Sequence, residues 1–258
     1  MIDESGLLEV ARIAAQAAAE ELRARFGDQG LRVRSKTTPT DLVSDADVAA
    51  ESAIRAVLAE RRPGDAIVGE EGGATGTGEL RWVVDPLDGT VNYLFGIPAF
   101  AVSVACEDAS GTLVGVVLDP IRDECFTATQ SGEPQVNDTP IRSPERGDLA
   151  TSMIATGFSY DAGLRARQAA VLERVLPRVR DIRRFGAAAL DLSWCACGRF
   201  DGYYERGLHA WDVTAGSLIA ERAGLEVREL PANGDDPEGV VVAPAAVIDE
   251  LYELVVGG

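Results

Sequence analysis

Two aspartates, Asp85 and Asp88, follow a short apolar run that begins at Trp82 and has the pattern of a strand. A Pro-containing turn separates them, and Gly89 and Thr90 then open a segment with a helical pattern. Carboxylate oxygens suit Mg²⁺, which shares its remaining coordination positions with water and substrate phosphate. The N–H groups at a helix N-terminus suit the phosphate itself. The segment therefore predicts a joint metal and phosphate site. The alternative is an ordinary turn, in which Asp, Pro and Gly are common for conformational reasons.

Other acidic residues also stand where elements of the sequence begin or end, which is where functional residues gather on a scaffold. The four strongest candidates for one site are Glu70, Asp85, Asp88 and Asp212. If they converge, each carboxylate raises the pKa values of the others unless cations neutralise them. With oxygen ligands only and a single histidine in the chain, Mg²⁺ is the expected occupant and Mn²⁺ the second choice. For Glu70, the alternative is a surface acid.

The composition is that of a globular chain of 258 residues with a net charge of −18. Such a charge repels nucleic acid and anionic membrane surfaces, because binding to either depends on phosphate neutralisation by Lys and Arg. No apolar run reaches the roughly 18–20 residues that cross a bilayer, and the N-terminus lacks the pattern of a signal peptide. The four cysteines lack metal-binding spacing and fit free thiols in a reducing compartment. We therefore expect a cytoplasmic protein that binds neither nucleic acid nor membrane.

Helical and strand patterns alternate along the chain, with some consecutive strands, which favours a layered α/β (α+β) sandwich. We expect one domain with two lobes, roughly 1–148 and 149–258. Predicted helices cover 5–26, a segment after Asp47, 163–179, 186–198, 212–223 and 246–256. Predicted strands cover 66–69, 82–85, 100–106, 113–118, 126–129, 153–156, 181–185, 201–205 and 240–243. The stretches 27–40 and 72–78 are predicted as loops, and 130–144 as a loop-dominated hairpin.

Three other polar residues have local structural explanations as well as functional ones. Ser44 and Asp47 have the spacing of a capping box, which would explain Asp47 without any chemistry. Lys36 lies in a loop, where lysine is most often solvated. Glu205 ends a predicted strand and could be an exposed acid, or could accept hydrogen bonds from the hydroxyl groups of a polyol.

Two motifs resemble those of a known family. The segment DPLDGTVNY, which begins at Asp85, resembles the first signature of the inositol monophosphatase family of metal-dependent, lithium-sensitive phosphatases. The segment WDVTAG, which begins at Trp211 and continues to Gly224, resembles the second. The resemblance spans essentially the whole chain in the right order. It implies the αβαβα sandwich of the inositol monophosphatase and fructose-1,6-bisphosphatase type, and Mg²⁺-dependent hydrolysis of a small phosphate monoester.

The resemblance also implies a role for each matching position. One Mg²⁺ would be held by Glu70, Asp85 and the Leu87 carbonyl, and a second by Asp85, Asp88 and Asp212. Glu70 and a Thr90–Asp47 pair would orient the attacking water, and Lys36 would lie near the metals through ordered water. Substrate contacts would come from Asp88, Gly89, Thr90, Ala188, Glu205 and Asp212. Ala187 departs from the family pattern, which has a hydroxyl residue there, and the segment 132–138 is shortened.

The spacing from Glu205 to Asp212 is typical of family members that act on inositol phosphate, so myo-inositol 1-phosphate is the expected substrate. Fructose 1,6-bisphosphate, histidinol phosphate and 3′-phosphoadenosine 5′-phosphate remain alternatives with the same chemistry. A different class also remains open, an RNA- or transcription-associated binding protein, because some bacterial family members act in that way. A homodimer is expected from the resemblance.

Overall fold

The computed structural model describes residues 3–28, 32–35, 42–145 and 147–257. Within these ranges the α-helices are α1 (Glu4–Arg25), α2 (Asp45–Arg61), α3 (Thr90–Leu94), α4 (Ala162–Val175), α5 (Ala188–Ala196), α6 (Ala210–Arg222) and α7 (Ile248–Val256). The strands are β1 (Val33–Ser35), β2 (Leu42–Ser44), β3 (Ala66–Gly69), β4 (Gly73–Thr75), β5 (Arg81–Asp88), β6 (Ala101–Asp108), β7 (Gly111–Asp119), β8 (Glu124–Thr129), β9 (Gln135–Val136), β10 (Thr139–Pro140), β11 (Met153–Thr156), β12 (Asp181–Arg183), β13 (Gly202–Arg206), β14 (Glu226–Leu230) and β15 (Gly239–Ala243). Short 3₁₀ turns cover Leu149–Thr151 and Leu176–Arg178. None of the described helices is both long and apolar enough to cross a membrane.

The larger sheet has eight strands in the order β10-β9-β8-β7-β6-β5-β3-β4, and its two faces are covered by different helices. Because successive strand residues point to opposite faces, Trp82 and Val84 pack with α1 and α2, while Val83 packs with α5 and α6. Within α1 the side that faces the sheet is mostly alanine, which lets the helix approach closely.

The smaller sheet has five strands in the order β12-β11-β13-β15-β14. Tyr203 and Val242 pack in the same core as α5 and α6, whereas Tyr204 and Val241 pack with α4 and α7 on the other face. The layers are therefore α1/α2, large sheet, α5/α6, small sheet and α4/α7. This confirms the predicted layered αβαβα sandwich. The division into two lobes near residue 149 remains a prediction.

Several predicted boundaries were wrong where pairing or packing overrides local pattern. Strand β5 continues through Pro86 to Asp88, whereas the sequence suggested that it ends at Asp85. The predicted loop 72–78 contains β4, which pairs with β3 despite its Gly- and Thr-rich composition.

Three further elements differ from expectation. Helix α6 begins at Ala210, so Asp212 is its third residue and not its first. Strand β14 was not predicted, because its alternating charged residues pair only with β15 at the edge of the small sheet. The predicted loop 27–40 contains β1, which pairs with β2 in a separate two-stranded ladder. Lys36 lies outside the described residues.

Candidate active site

The end of β5 is irregular, and this irregularity presents its acidic residues. The pairing of β5 with β6 shifts between Asp85 and Asp88, where Pro86 has no N–H to donate. The Leu87 N–H donates instead to Asp85 Oδ1 at 2.9 Å. Gly89 then adopts φ +93°, and a Cβ at this position would lie 3.0 Å from the Ala99 carbonyl oxygen. Glycine therefore permits the turn from strand into α3.

Thr90 and Asp47 are in direct contact, although they lie on different elements. The Thr90 hydroxyl lies 2.9 Å from Asp47 Oδ1 and 3.0 Å from the Leu87 carbonyl oxygen. Asp47 also forms the predicted capping box, since its Oδ2 accepts from the N–H and hydroxyl of Ser44 at 2.8 and 2.6 Å. Asp47 therefore caps α2 and also orients Thr90 with its second oxygen.

Asp88 connects the large sheet to the middle layer of helices. Its two oxygens accept hydrogen bonds from the main-chain N–H groups of Ala188 and Ala189, at 3.1 and 2.7 Å, at the start of α5. The pKa of Asp88 is raised to about 7, chiefly by burial and also by the charge of Glu205, although these hydrogen bonds oppose the shift. This contact places the predicted substrate residue Ala188 beside the acidic cluster.

Asp85, on β5, and Asp212, on α6, complete the cluster. Burial raises the pKa of Asp85 well above its ordinary value, and the charges of Glu70, Asp88 and Asp212 add to the shift. Burial also raises the pKa of Asp212 well above its ordinary value, with the charge of Asp88 as the next cause. Asp212 Oδ2 accepts from the His209 N–H at 2.7 Å, which fixes the carboxylate at the first turn of α6.

One cleft of about 340 Å³ gathers most of the predicted site residues. Its lining includes Glu70, Asp85, Leu87, Asp88, Gly89, Thr90, Ala188, Glu205 and Asp212. Asp47 does not line this cleft and reaches it only through Thr90. A larger cleft of about 880 Å³ lies beside it and shares Leu208 and His209, but it includes none of the four clustered acids.

The chemistry of the cluster fits a hard divalent cation. Its side-chain donors are all carboxylate oxygens, which Mg²⁺ and Mn²⁺ prefer. Among the described residues, Asp85, Asp88 and Asp212 form no ion pair with Lys or Arg, so cations could offset their mutual repulsion. In the described ranges, however, no three His, Cys, Asp or Glu side chains are arranged to hold a metal ion as they stand. A bound ion would therefore have to draw these side chains together.

Glu205, on β13, lines the same cleft and is not the exposed strand-end acid that was one alternative. Its Oε2 accepts from the Tyr203 hydroxyl at 2.5 Å. Its pKa is raised to about 7 by burial, although the hydrogen bond from Tyr203 and the charge of Arg184 oppose the shift. A Cβ on Gly157 would lie 1.9 Å from Glu205 Oε2, so only glycine fits against this carboxylate.

Sequence reasoning missed two residues that act on Glu205: Tyr203, whose hydroxyl donates to it, and Arg184, a cation in the lining of the cleft. The first was detectable in principle, because residues two apart in a strand share a face. The second was not, since nothing in the local pattern shows that the loop before α5 faces β13.

Comparison with known proteins identifies the family. The model of the inositol monophosphatase family matches residues 3–255. The chain belongs to the inositol monophosphatase family. It is therefore a phosphatase of a metal-dependent family, with a small phosphorylated compound as its substrate.

Relatives within the family carry two kinds of name. An inositol-1-monophosphatase SuhB of Mycobacterium tuberculosis is 42% identical over 238 residues, which is 88% of this chain and 82% of the relative. A Nus factor SuhB of Pasteurella multocida is 42% identical over 197 residues, or 75% of this chain and 73% of the relative. The crystal structure of the extragenic suppressor protein suhB of Bartonella henselae superposes with a TM-score of 0.91 at 36% identity, covering 98% of this chain and 99% of that one.

Proposed function

We propose that this phosphatase hydrolyses the phosphate monoester of a small polyol, with myo-inositol 1-phosphate as its preferred substrate and Mg²⁺ as its metal. The observation that carries the proposal is the shared cleft, whose lining includes Asp85, Asp88 and Asp212 together with Glu205. The acids suit the metals that accompany a phosphate group. Glu205 is an acceptor suited to the hydroxyl groups of the ring.

Each residue has a task in this proposal. Glu70, Asp85 and the Leu87 carbonyl would hold one Mg²⁺, and Asp85, Asp88 and Asp212 a second, with Mn²⁺ as a substitute. When bound, the metal would supply Lewis-acid charge and a more acidic water. Glu70 and the Thr90 hydroxyl, held by Asp47, would orient that water. The N–H groups of Gly89 and Thr90 would donate to the phosphate oxygens.

Glu205 is the reason to prefer a polyol over the other small esters. Its Oε2 is engaged by Tyr203, which leaves Oε1 for a substrate hydroxyl. Ala188, at the start of α5, would contact the ring through its main chain. Ala187 offers no hydroxyl at the position where the family pattern has one, and this could broaden the range of esters that fit.

A transcription-associated role is the second candidate, because relatives about as similar as the phosphatases are named Nus factor SuhB. The net charge of −18 disfavours direct contact with RNA, since RNA binding depends on neutralisation of phosphates. Such a role would therefore act through protein partners. Binding of labelled RNA over a series of salt concentrations would test the direct form of this role.

We also propose that the chain forms a homodimer in the cytoplasm. Phe95, Ile97 and Ile121 are exposed by 74%, 48% and 39%. The Arg122 guanidinium donates to the Pro98 carbonyl oxygen at 2.9 Å, so the two segments that carry these residues are adjacent. Neighbouring exposed apolar side chains are a feature of protein interfaces.

The decisive experiment is phosphate release from four esters: myo-inositol 1-phosphate, fructose 1,6-bisphosphate, histidinol phosphate and 3′-phosphoadenosine 5′-phosphate. Each is assayed with Mg²⁺, with Mg²⁺ plus Li⁺, and with a chelator. We expect turnover that depends on Mg²⁺, is inhibited by Li⁺ and is fastest on inositol phosphate. Faster turnover of another ester would refute the substrate and retain the metal chemistry. Full turnover in chelator would refute the metal site.

A further inference from the structure

Glu51 is a buried acid of α2 that lies outside the cleft. It binds the turn next to Glu70, which lines the cleft. Glu51 is 3% exposed. Its Oε2 accepts from the Glu71 N–H at 2.7 Å and its Oε1 from the Gly72 N–H at 2.8 Å. These two N–H groups belong to the turn that directly follows Glu70, the residue proposed to orient the attacking water. Glu51 thus fixes the main chain on the C-terminal side of Glu70.

Arg55, one turn further along α2, completes this contact. Its Nε donates to Glu51 Oε1 at 2.6 Å, which neutralises the buried carboxylate. Its other two nitrogens donate to the Gly73 carbonyl oxygen at 2.6 Å and the Thr75 hydroxyl at 2.9 Å. Charge-assisted hydrogen bonds of this kind are stronger and more directional than neutral ones. The Glu51–Arg55 pair therefore holds the whole β3–β4 connection against α2.

Two glycines show how closely the turn approaches this pair. A Cβ on Gly69 would lie 2.6 Å from Glu51 Oε1, and a Cβ on Gly72 would lie 2.5 Å from the same atom. Any other residue at either position would push the carboxylate away from the N–H groups that it binds. The glycines on both sides of Glu70 thus make room for Glu51.

Helix α2 also carries Asp47, which pairs with Thr90 to form the second group proposed to orient the water. Asp47 precedes Glu51 by four residues, so both carboxylates lie on one face of α2. Asp47 contacts the hydroxyl of Thr90, the first residue of α3 just after the end of β5, at 2.9 Å. The Glu70 N–H donates to the Val84 carbonyl oxygen at 3.3 Å, which ties the end of β3 to β5. Helix α2 therefore contacts both strand ends that carry the groups proposed to orient the water.

We propose that Glu51 is a positioning residue for Glu70: it binds the turn of residues 70–72 to α2 and so sets the place of Glu70 relative to the Thr90–Asp47 pair. Glu51 does not line the cleft and would act through Glu70. This inference rests on the proposed function, because it assigns Glu51 to the orientation of the attacking water.

Glu51→Gln is the test, with Glu60→Gln as the matched control. Glutamine keeps the size of the side chain, but its one carbonyl oxygen cannot serve three donors, and its NH₂ group must face at least one of them. Glu60 lies exposed on the same helix. We expect Glu51→Gln to lower kcat by about 10- to 100-fold, the usual cost of losing a residue that orients a metal ligand. The KM for inositol phosphate should change less than kcat, and Glu60→Gln should behave like the wild type.

A double-mutant cycle separates positioning from a general loss of stability. If Glu51 acts through Glu70, then Glu51→Gln should cost little further activity once Glu70→Gln is in place. If Glu51 only stabilises the fold, the two losses should multiply, and the proposal is wrong.

Hydrogen exchange of the metal-free protein gives a readout that does not depend on activity. The amides of Glu71 and Gly72 should exchange faster in Glu51→Gln, while the amides in the middle of β5 keep wild-type protection. Unchanged exchange at both amides would overturn the proposal. If the wild-type protein hydrolyses none of the four esters, the proposed function fails, but the exchange experiment still reports on the contact itself.

Discussion

Asp88 on β5 and Asp212 on α6, which form the acidic side of the site, accept hydrogen bonds from main-chain N–H groups, whereas Glu205 on β13 of the small sheet accepts one from the hydroxyl of Tyr203. The donors to Asp88 and Asp212 belong to the first residues of α5 and to the residue before α6. They are therefore present whatever side chains stand at those positions. The donor to Glu205 exists only as long as residue 203 is a tyrosine.

We therefore expect the clustered aspartates to serve the chemical step and Glu205 to serve substrate recognition. Main-chain donors make the acidic side of the cleft insensitive to most single substitutions around it. Side-chain donors make the Glu205 side adjustable, because one substitution can change which group is presented to the substrate. The difference predicts that substitutions of Asp88 or Asp212 lower activity on every ester. Substitutions of Glu205 or Tyr203 should instead lower activity selectively, on inositol phosphate.

The largest effect is expected from Asp212→Asn. Asparagine can still accept from the His209 N–H through its carbonyl oxygen, so α6 keeps its cap while the cluster loses one charge. Turnover of all four esters should fall by about 10²- to 10³-fold or more, as when a preorganised electrostatic group is removed. Asp88→Asn should act similarly. The measurement is kcat, with the thermal unfolding midpoint recorded in parallel.

Asp148→Asn is the matched control, since Asp148 caps the 3₁₀ turn Leu149–Thr151 and does not line the cleft. Activity of Asp212→Asn within a few-fold of this control would remove Asp212 from the metal site.

Glu205→Ala should have a smaller and selective effect. It removes the proposed acceptor for a ring hydroxyl and leaves the acidic side intact. The KM for myo-inositol 1-phosphate should rise about tenfold, in line with the loss of a hydrogen bond to a charged group. The KM for a simple phosphate ester such as p-nitrophenyl phosphate should change little. Equal changes for both substrates would show that Glu205 does not select the polyol.

Tyr203→Phe should act in the same direction as Glu205→Ala but more weakly. The ring remains in the core, and only the hydroxyl that orients Glu205 is lost. We expect the KM for inositol phosphate to rise by about three- to fivefold with kcat nearly constant, since the lost hydrogen bond acts only indirectly. In the Glu205→Ala background the same substitution should have no further effect on KM. An additional rise there would mean that Tyr203 acts independently of Glu205.

The smallest effect concerns the pH dependence of stability in the metal-free protein. Burial raises the pKa of Glu205 from 4.5 to about 7, so the folded state binds this proton more tightly than the unfolded chain. The resulting stabilisation is present below pH 4.5 and is lost as pH rises through about 7. The unfolding midpoint in chelator should therefore fall over this range, and the fall should be smaller in Glu205→Gln. Identical slopes for the two proteins would contradict the raised pKa.

Much of the fold could be predicted because local pattern and tertiary environment agree. Helix α1 was predicted at 5–26 and lies at Glu4–Arg25, since its buried alanines and leucines follow a helical period. Strand β7 was predicted at 113–118 and lies at Gly111–Asp119 for the equivalent reason. Strands β4 and β14 were missed because both are edge strands, and their pairing partner, not their composition, makes them strands.

In the candidate site too, some residues could be predicted from local sequence and others could not. Asp85, Asp88 and Thr90 were predicted from one contiguous segment, in which order along the chain already implies proximity. The contact between Thr90 and Asp47 spans 43 residues, and the contact between Asp88 and Ala189 spans 101. Only family resemblance suggested the first of these contacts, and nothing in the sequence suggested the role of Glu51.

The sequence by itself determined the family, the order of the helices and strands, and the acid types that make an oxygen-ligand metal site the expected chemistry. Tertiary structure alone decided which acids share a cleft and which of them accept hydrogen bonds from main-chain donors. It also decided which acids, such as Glu51, lie outside the cleft and contact the segments that form it. The physical reason is that side-chain type depends on one position, whereas distance, burial and the resulting pKa depend on how remote segments pack together.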